Sequence, residues 1–203
     1  MSDEQEKVVF FREYRHEIWR VLRRDLDEAG DNWKGTPITV HHGPFAVVLD
    51  VHTEGGGRTA HVVTRFRAPY INRDGFRFRI KRRTFMSDLA TMLGAQDIQA
   101  GFEPFDEEFV LQANSKSAMC RLVKDESIRR ELEILPVSLV EVRDDEGYFG
   151  PQFPGEVDEL YMECDGRITA VADLEGLYEL FADLLDRMCR IGTAYEDDPN
   201  LQL

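Results

Sequence analysis

Apolar positions first recur at helical spacing. Phe11, Ile18, Leu22 and Leu26 fall on one side of a helical repeat, and Tyr14 and Trp19 widen that stripe. With Gly30 following, residues from about Glu6 to Ala29 are expected to form an amphipathic helix. After GDNWKGTP the period drops to two. The stretch ITVHHGPFAVVLDVHT alternates and is rich in β-branched residues, which predicts two strands, or one strand bent at Gly43-Pro44.

The next turn suggests a register. In TEGGGRT, the pair Gly56-Gly57 suits the positive backbone angles of a two-residue hairpin loop, which sets Gly55 against Arg58 and His52 against His61. Val47, Leu49 and Val51 then share a face with Val62, Thr64 and Phe66. Asp50, His52, His61, Arg65 and Arg67 take the other face, and a slip of one residue would mix the two sets. FRFRIKRR alternates in the same way after an Asp74-Gly75 turn. Phe76, Phe78 and Ile80 point to a core, and Arg77, Arg79 and Lys81 point away from it.

Beyond this, TFMSDLATMLG is expected to be a short helix with Thr84 or Ser87 as its cap and Gly94 as its stop. DEEFVLQAN reads as a strand. SKSAMCRLVKDESIRRELEIL reads as one broken helix or two short ones, with Asp125 as an internal cap. VSLVEVR is a further strand, and the prolines and glycines of DDEGYFGPQFPGE exclude regular structure there. VDELYMEC and RITAV, around Asp165-Gly166, read as a second hairpin. Leu174, Leu177, Phe181, Leu184, Leu185 and Met188 then return to helical spacing between Asp173 and Ile191, with Gly192 at the end. The order lacks regular βαβ alternation. The expected fold is α+β: a mainly antiparallel sheet with an N-terminal helix, short central helices and a long C-terminal helix packed on it. Residues 1–203 are read as a single domain, with 1–5 and 194–203 as loose tails.

Charge sharpens one part of this picture. The chain carries a formal net charge of -14, yet Arg58 to Arg83 holds nine basic residues and one acid, Asp74. That segment is +8 and the remainder -22. Such segregation marks Arg65, Arg67, Arg77, Arg79 and Lys81 as a candidate anion- or partner-binding face. Base stacking is disfavoured, since Phe76 and Phe78 point away from the arginines, and the acidic remainder repels polyanions. An acidic protein surface fits better. It would come from this chain, from another copy in a homo-oligomer, or from a partner. No apolar run reaches the length of about 18 residues that spans a bilayer, and the charged N-terminus does not read as a signal peptide. No membrane contact is therefore expected, and the compartment is expected to be cytoplasmic.

The segment FDEEFVLQANSKSAMCRLVKDESIRREL resembles uncharacterised bacterial domains that carry a Phe-Asp-x-x-Phe strand followed by a helical segment with spaced Leu and Ile. The resemblance implies a structural pattern and no activity.

Catalytic motifs are sparse. There is no GxGxxG, GxxxxGK[ST], GxSxG or HExxH, so no cofactor and no nucleophile is implied. Asp50, His52 and His61 form the one metal-ligating candidate, because the Gly-Gly register brings the two imidazoles together with a carboxylate on the same face. They define the alternative to a binding or assembly module, a metal-dependent hydrolytic enzyme. The acids of FEPFDEEF suggest an acid/base pair only weakly. His41 and His42 are neighbours on a strand and point to opposite faces. Cys120, Cys164 and Cys189 sit in apolar patterns and read as small buried hydrophobes.

Overall fold

A computed structural model describes residues 8–10, 19, 20, 22–24, 26, 28, 37–55, 60–83, 97–145, 152–201 and 203. Its strands are β1 (Val8–Phe10), β2 (Ile38–His42), β3 (Phe45–Glu54), β4 (His61–Ile71), β5 (Phe78–Arg82), β6 (Phe109–Ala113), β7 (Val137–Arg143) and β8 (Val157–Asp165). The helices are α1, of which residues 19, 20, 22–24, 26 and 28 are described, then α2 (Glu103–Glu108), α3 (Lys116–Leu122), α4 (Glu126–Ile134) and α5 (Val171–Arg190).

The strands form one sheet in the order β1-β2-β3-β4-β8-β7-β5-β6. β2 to β8 are antiparallel to their neighbours, and β1 lies parallel to β2. This is the α+β architecture expected from the pattern. The basic strands β4 and β5 follow each other in sequence but are not neighbours, because β8 and β7 lie between them.

The sheet's apolar face packs on α5. Phe66 of β4 meets Phe181 of α5 with ring centroids 6.1 Å apart, and Trp19 of α1 meets Tyr178 edge-on at 5.8 Å. Leu174, Leu177, Phe181, Leu184, Leu185 and Met188 are all fully buried, as their spacing predicts. Burying a large apolar side chain contributes about 1.5–3 kcal/mol, so this stripe is a dominant source of stability. Gly192 ends the helix with φ at +75°, a conformation that disfavours any residue with a Cβ.

The hairpin register differs from the expected one by two residues. Glu54 faces His61, Asp50 faces Arg65 and Leu49 faces Phe66. The shift is even, so the apolar and polar faces survive it while every partner changes. β3 ends at Glu54 and β4 begins at His61, and Gly56-Gly57 lies outside the described residues. Four other expectations also change. Val8–Phe10 is a strand paired with β2, so the N-terminal helix does not begin at Glu6. Glu103–Glu108 is helical, since Pro104 suits a first helical turn, and the strand starts only at Phe109. RITAV is not a strand: both edges of β8 are already paired, by β4 and β7, and Ile168 N–H instead donates to Thr64 Oγ1 at 2.9 Å. The segment after α5 is tethered, with Tyr195 N–H donating to Ile71 O at 3.2 Å and Arg73 reaching Asp197 at 2.7 Å. The helix expected in TFMSDLATMLG lies outside the described residues.

Asp125 does cap α4, accepting from Ser127 N–H at 3.1 Å, and Ser115 caps α3 in the same way. Among the described residues no helix is long and apolar enough to cross a membrane.

Candidate functional site

Alternation sends the predicted basic residues to the sheet face away from α5, and acids on neighbouring strands meet them there. Asp50 of β3 lies directly opposite Arg65 of β4. Its Oδ1 accepts from Arg65 Nε at 2.5 Å, while Oδ2 accepts from Arg65 at 3.1 Å and from Arg67 at 3.0 Å. Arg67 also approaches Glu159 of β8 at 3.8 Å. Two strands further on, Arg79 of β5 lies opposite Glu141 of β7 and donates to it at 2.6 Å. Glu141 uses its other oxygen for Arg143, also at 2.6 Å, and that guanidinium stacks 3.3 Å from the centroid of the Tyr161 ring. Each cross-strand pair thus joins a base to an acid in the geometry that stabilises sheets.

Burial makes these pairs consequential. The Arg65 and Arg67 side chains are 13% and 10% exposed, and that of Asp50 is 8% exposed. Burial alone would lower the pKa of Arg65, but the Asp50 carboxylate outweighs it and the net shift is upward. The candidate face is therefore graded. Its centre, at Arg65 and Arg67, is committed to ion pairs within the chain. Arg79 and Arg77 are more open, at 28% and 38%. Arg77 spans Asp144 at 2.6 Å and Asp158 at 3.1 Å, the latter also held by Asn72. Lys81 is partly exposed and makes no ion pair among the described residues.

The structure does not bring Asp50, His52 and His61 together. The two-residue shift sets His52 opposite Val63, and it places His61 Nε2 3.6 Å from Glu54. The Asp50 carboxylate is taken by two arginines. Burial, and then the Arg65 charge, lowers the His52 pKa. Among the described residues no three His, Cys, Asp or Glu side chains are placed to hold a metal ion. His42 points to the helix side and bonds Asp186 at 2.7 Å. Of the FEPFDEEF acids, Asp106 accepts backbone N–H donors from Ala100, Gly101 and Phe102 at 2.7–3.1 Å, which gives it a structural task. Cys164 is fully buried, and burial pushes its thiol up to about 12. Cys120 and Cys189 are partly exposed.

Three residues that sequence reasoning did not select are prominent here. Tyr161 Oη lies 2.8 Å from Glu163 Oε2 and 3.1 Å from Glu54 Oε1. Burial holds Glu163 above the usual carboxylate range even though Tyr161 bonds it, and burial likewise raises Tyr161. The signal was present in VDELYMECD, where Glu159, Tyr161 and Glu163 recur with period two. It became readable only once β8 was known to lie beside the arginines of β4.

No family model matches the chain, and no curated protein matches it. Among solved structures, the chain is similar to the mycobacterial trehalose monomycolate transport factor A, TtfA, at 10% identity and a TM-score of 0.47, over 85% of this chain and 97% of that one.

Proposed function

We propose that this chain is a binding or assembly module that meets an acidic protein surface, on a partner or on a second copy of itself, through the β5 end of its basic face. The observation that supports this reading is the gradient of commitment along that face. Arg65 and Arg67 are buried in ion pairs, Arg79 and Arg77 are progressively more open, and Lys81 has no ion pair among the described residues. An incoming carboxylate gains most at the least committed cations, because it need not displace an existing partner or enter a desolvated site. Arg83, exposed at the end of the same strand, extends the accessible charge.

The test separates the two ends of the face. Lys81→Glu together with Arg83→Glu is expected to abolish concentration-dependent mass in light scattering at low salt, or to remove acidic partners from a pull-down, while the melting temperature is retained. Salt should weaken the same association in the parent protein, since exposed pairs are screened. A mass independent of concentration and salt, together with an unchanged partner set in the double variant, would remove this reading.

A further inference from the structure

The bonds of Tyr161 do not fit a flat sheet. Along β4, Tyr161 lies opposite Arg67 and Glu54 lies opposite His61. Six residues of strand separate those positions, about 20 Å at the usual rise. A tyrosine and a glutamate cannot bridge that distance on a plane, yet their oxygens are 3.1 Å apart. The sheet must therefore coil toward its charged face, carrying the end of the β3–β4 hairpin back over β8. Coiling also accounts for the burial of Asp50, Arg67, Glu141, Glu159 and Tyr161 on the side away from α5.

The closure has a proton requirement. A phenol carries one hydrogen, and Tyr161 lies within bonding distance of two carboxyl groups. If both were ionised, one contact would set a carboxylate against a phenol oxygen with no hydrogen between them. We propose that Glu54, Tyr161 and Glu163 form a proton-dependent clasp, in which a protonated Glu163 donates to Tyr161 Oη, Tyr161 donates to the Glu54 carboxylate, and loss of that one proton frees the hairpin end. Glu163 is the proton holder because it makes the shorter contact with Tyr161 Oη, 2.8 Å against 3.1 Å for Glu54, and burial raises its pKa. Glu54 lies 3.6 Å from His61 Nε2.

The surrounding charges act in both directions. Arg143 on β7 favours an ionised Glu163, whereas Glu54 on β3 and Glu141 on β7 oppose it. Arg65 lies directly across on β4, and His52 and His61 stand on the hairpin itself. Release of the proton places a second negative charge near Glu54 and leaves the tip, where His52 and Thr53 are already exposed, without its anchor. The clasp does not depend on what the β5 end binds.

The test is amide hydrogen exchange of the full chain, corrected for intrinsic rates, between about pH 5 and about pH 8. Protection of residues 51–54 and 61–63 is expected to fall about tenfold across that range, while the α5 amides hold. Glu163→Gln should stay clasped, with tip protection independent of pH, because its amide still donates to Tyr161. Tyr161→Phe should lose tip protection at both ends of the range. If the buried Tyr161 variant does not fold, Glu54→Ala, at the hairpin end, provides the same measurement. A tip whose protection does not change with pH in the parent, or a Glu163→Gln protein that retains the parent's pH response, overturns the clasp.

Discussion

Asp50→Asn is the sharpest probe of the charged face, since it keeps the shape of the side chain and removes only its charge. In the folded protein that carboxylate serves two guanidinium groups, at 2.5 and 3.1 Å for Arg65 and 3.0 Å for Arg67, where all three side chains are at most 13% exposed. Removing one member of a buried ion pair typically costs about 3–5 kcal/mol, because the remaining charge stays desolvated. An asparagine oxygen still accepts one donor, and Glu159 stands 3.8 Å from Arg67, so the lower part of that range, about 3 kcal/mol, is expected. With a urea m-value of about 2–3 kcal/mol/M, the unfolding midpoint should fall by about 1–1.5 M. The control is Arg73→Ala, whose partner Asp197 is 60% exposed and whose own side chain is 51% exposed; it should change stability by no more than about 0.5 kcal/mol. Raising the salt should leave the Asp50→Asn deficit in place, since buried charges are poorly screened. Asp50→Leu combined with Arg65→Met should recover only part of the loss, because Arg67 stays buried without the carboxylate it shared. A midpoint shift for Asp50→Asn no larger than that of Arg73→Ala, at an unchanged m-value, would refute the assignment of this face as a desolvated network.

Three further outcomes follow from other parts of the fold. Arg82 caps the carbonyls at the end of α4 and beyond it, reaching Leu132, Leu135 at 2.9 Å and Val137 at 2.9 Å while it pairs with Glu108, so Arg82→Met should cost about 2–3 kcal/mol in chemical denaturation; a loss under about 0.5 kcal/mol would mean those carbonyls find other donors. Asp183 on α5 is held above the usual carboxylate range by burial and by Asp186, Glu179 and Asp125; its charged form is disfavoured in the fold, so its contribution to stability falls as pH rises from the ordinary Asp range through the raised value. Asp183→Asn should therefore raise the melting temperature at neutral pH and match the parent in acid, and the opposite ordering would exclude the like-charge account. Cys164, with its thiol near 12, should have a thiolate fraction on the order of 10⁻⁴ at about pH 8 and react with a thiol reagent only as fast as the protein opens, whereas rapid labelling in the folded state would contradict its burial.

The elements that a reader of the sequence could place are those whose pattern is local. Leu174 through Met188 spell out α5, Asp125 announces the start of α4, and the alternation around Val47 and Phe66 fixes which side of each strand meets the core, even with the register displaced by two. What sequence left open is non-local. Nothing in TRFRAPYINRDGFRFRIKRR says that its two strands stand apart with β8 and β7 between them, and RITAV looks like a strand until both edges of β8 are known to be occupied. The same blindness hid the site. Glu141, Glu159 and Glu163 look like ordinary solvated positions on alternating strands, and their role depends on which strand lies alongside.

Charge itself supplies part of the reason for that strand order. Were β4 and β5 paired as consecutive hairpin strands, Arg65 and Arg67 would share one face with Arg77, Arg79 and Lys81, and like charges set opposite one another destabilise a sheet. In the observed order each basic strand is flanked by acids on that face: Asp50 of β3 and Glu159 of β8 beside β4, and Glu141 of β7 beside β5. The +8 segment and part of the -22 remainder thereby cancel inside a single sheet. On the other face, Phe66, Phe78, Ile80, Leu160 and Met162 would pack in several strand orders, because apolar contact is non-directional. The arginine–carboxylate pairs discriminate among those orders, since a wrong neighbour leaves a buried charge unmatched. The arginines at the centre of the face are thus first a device for choosing strand neighbours, and the contact with another molecule that we propose falls to the cations at the β5 end that this ordering leaves least committed.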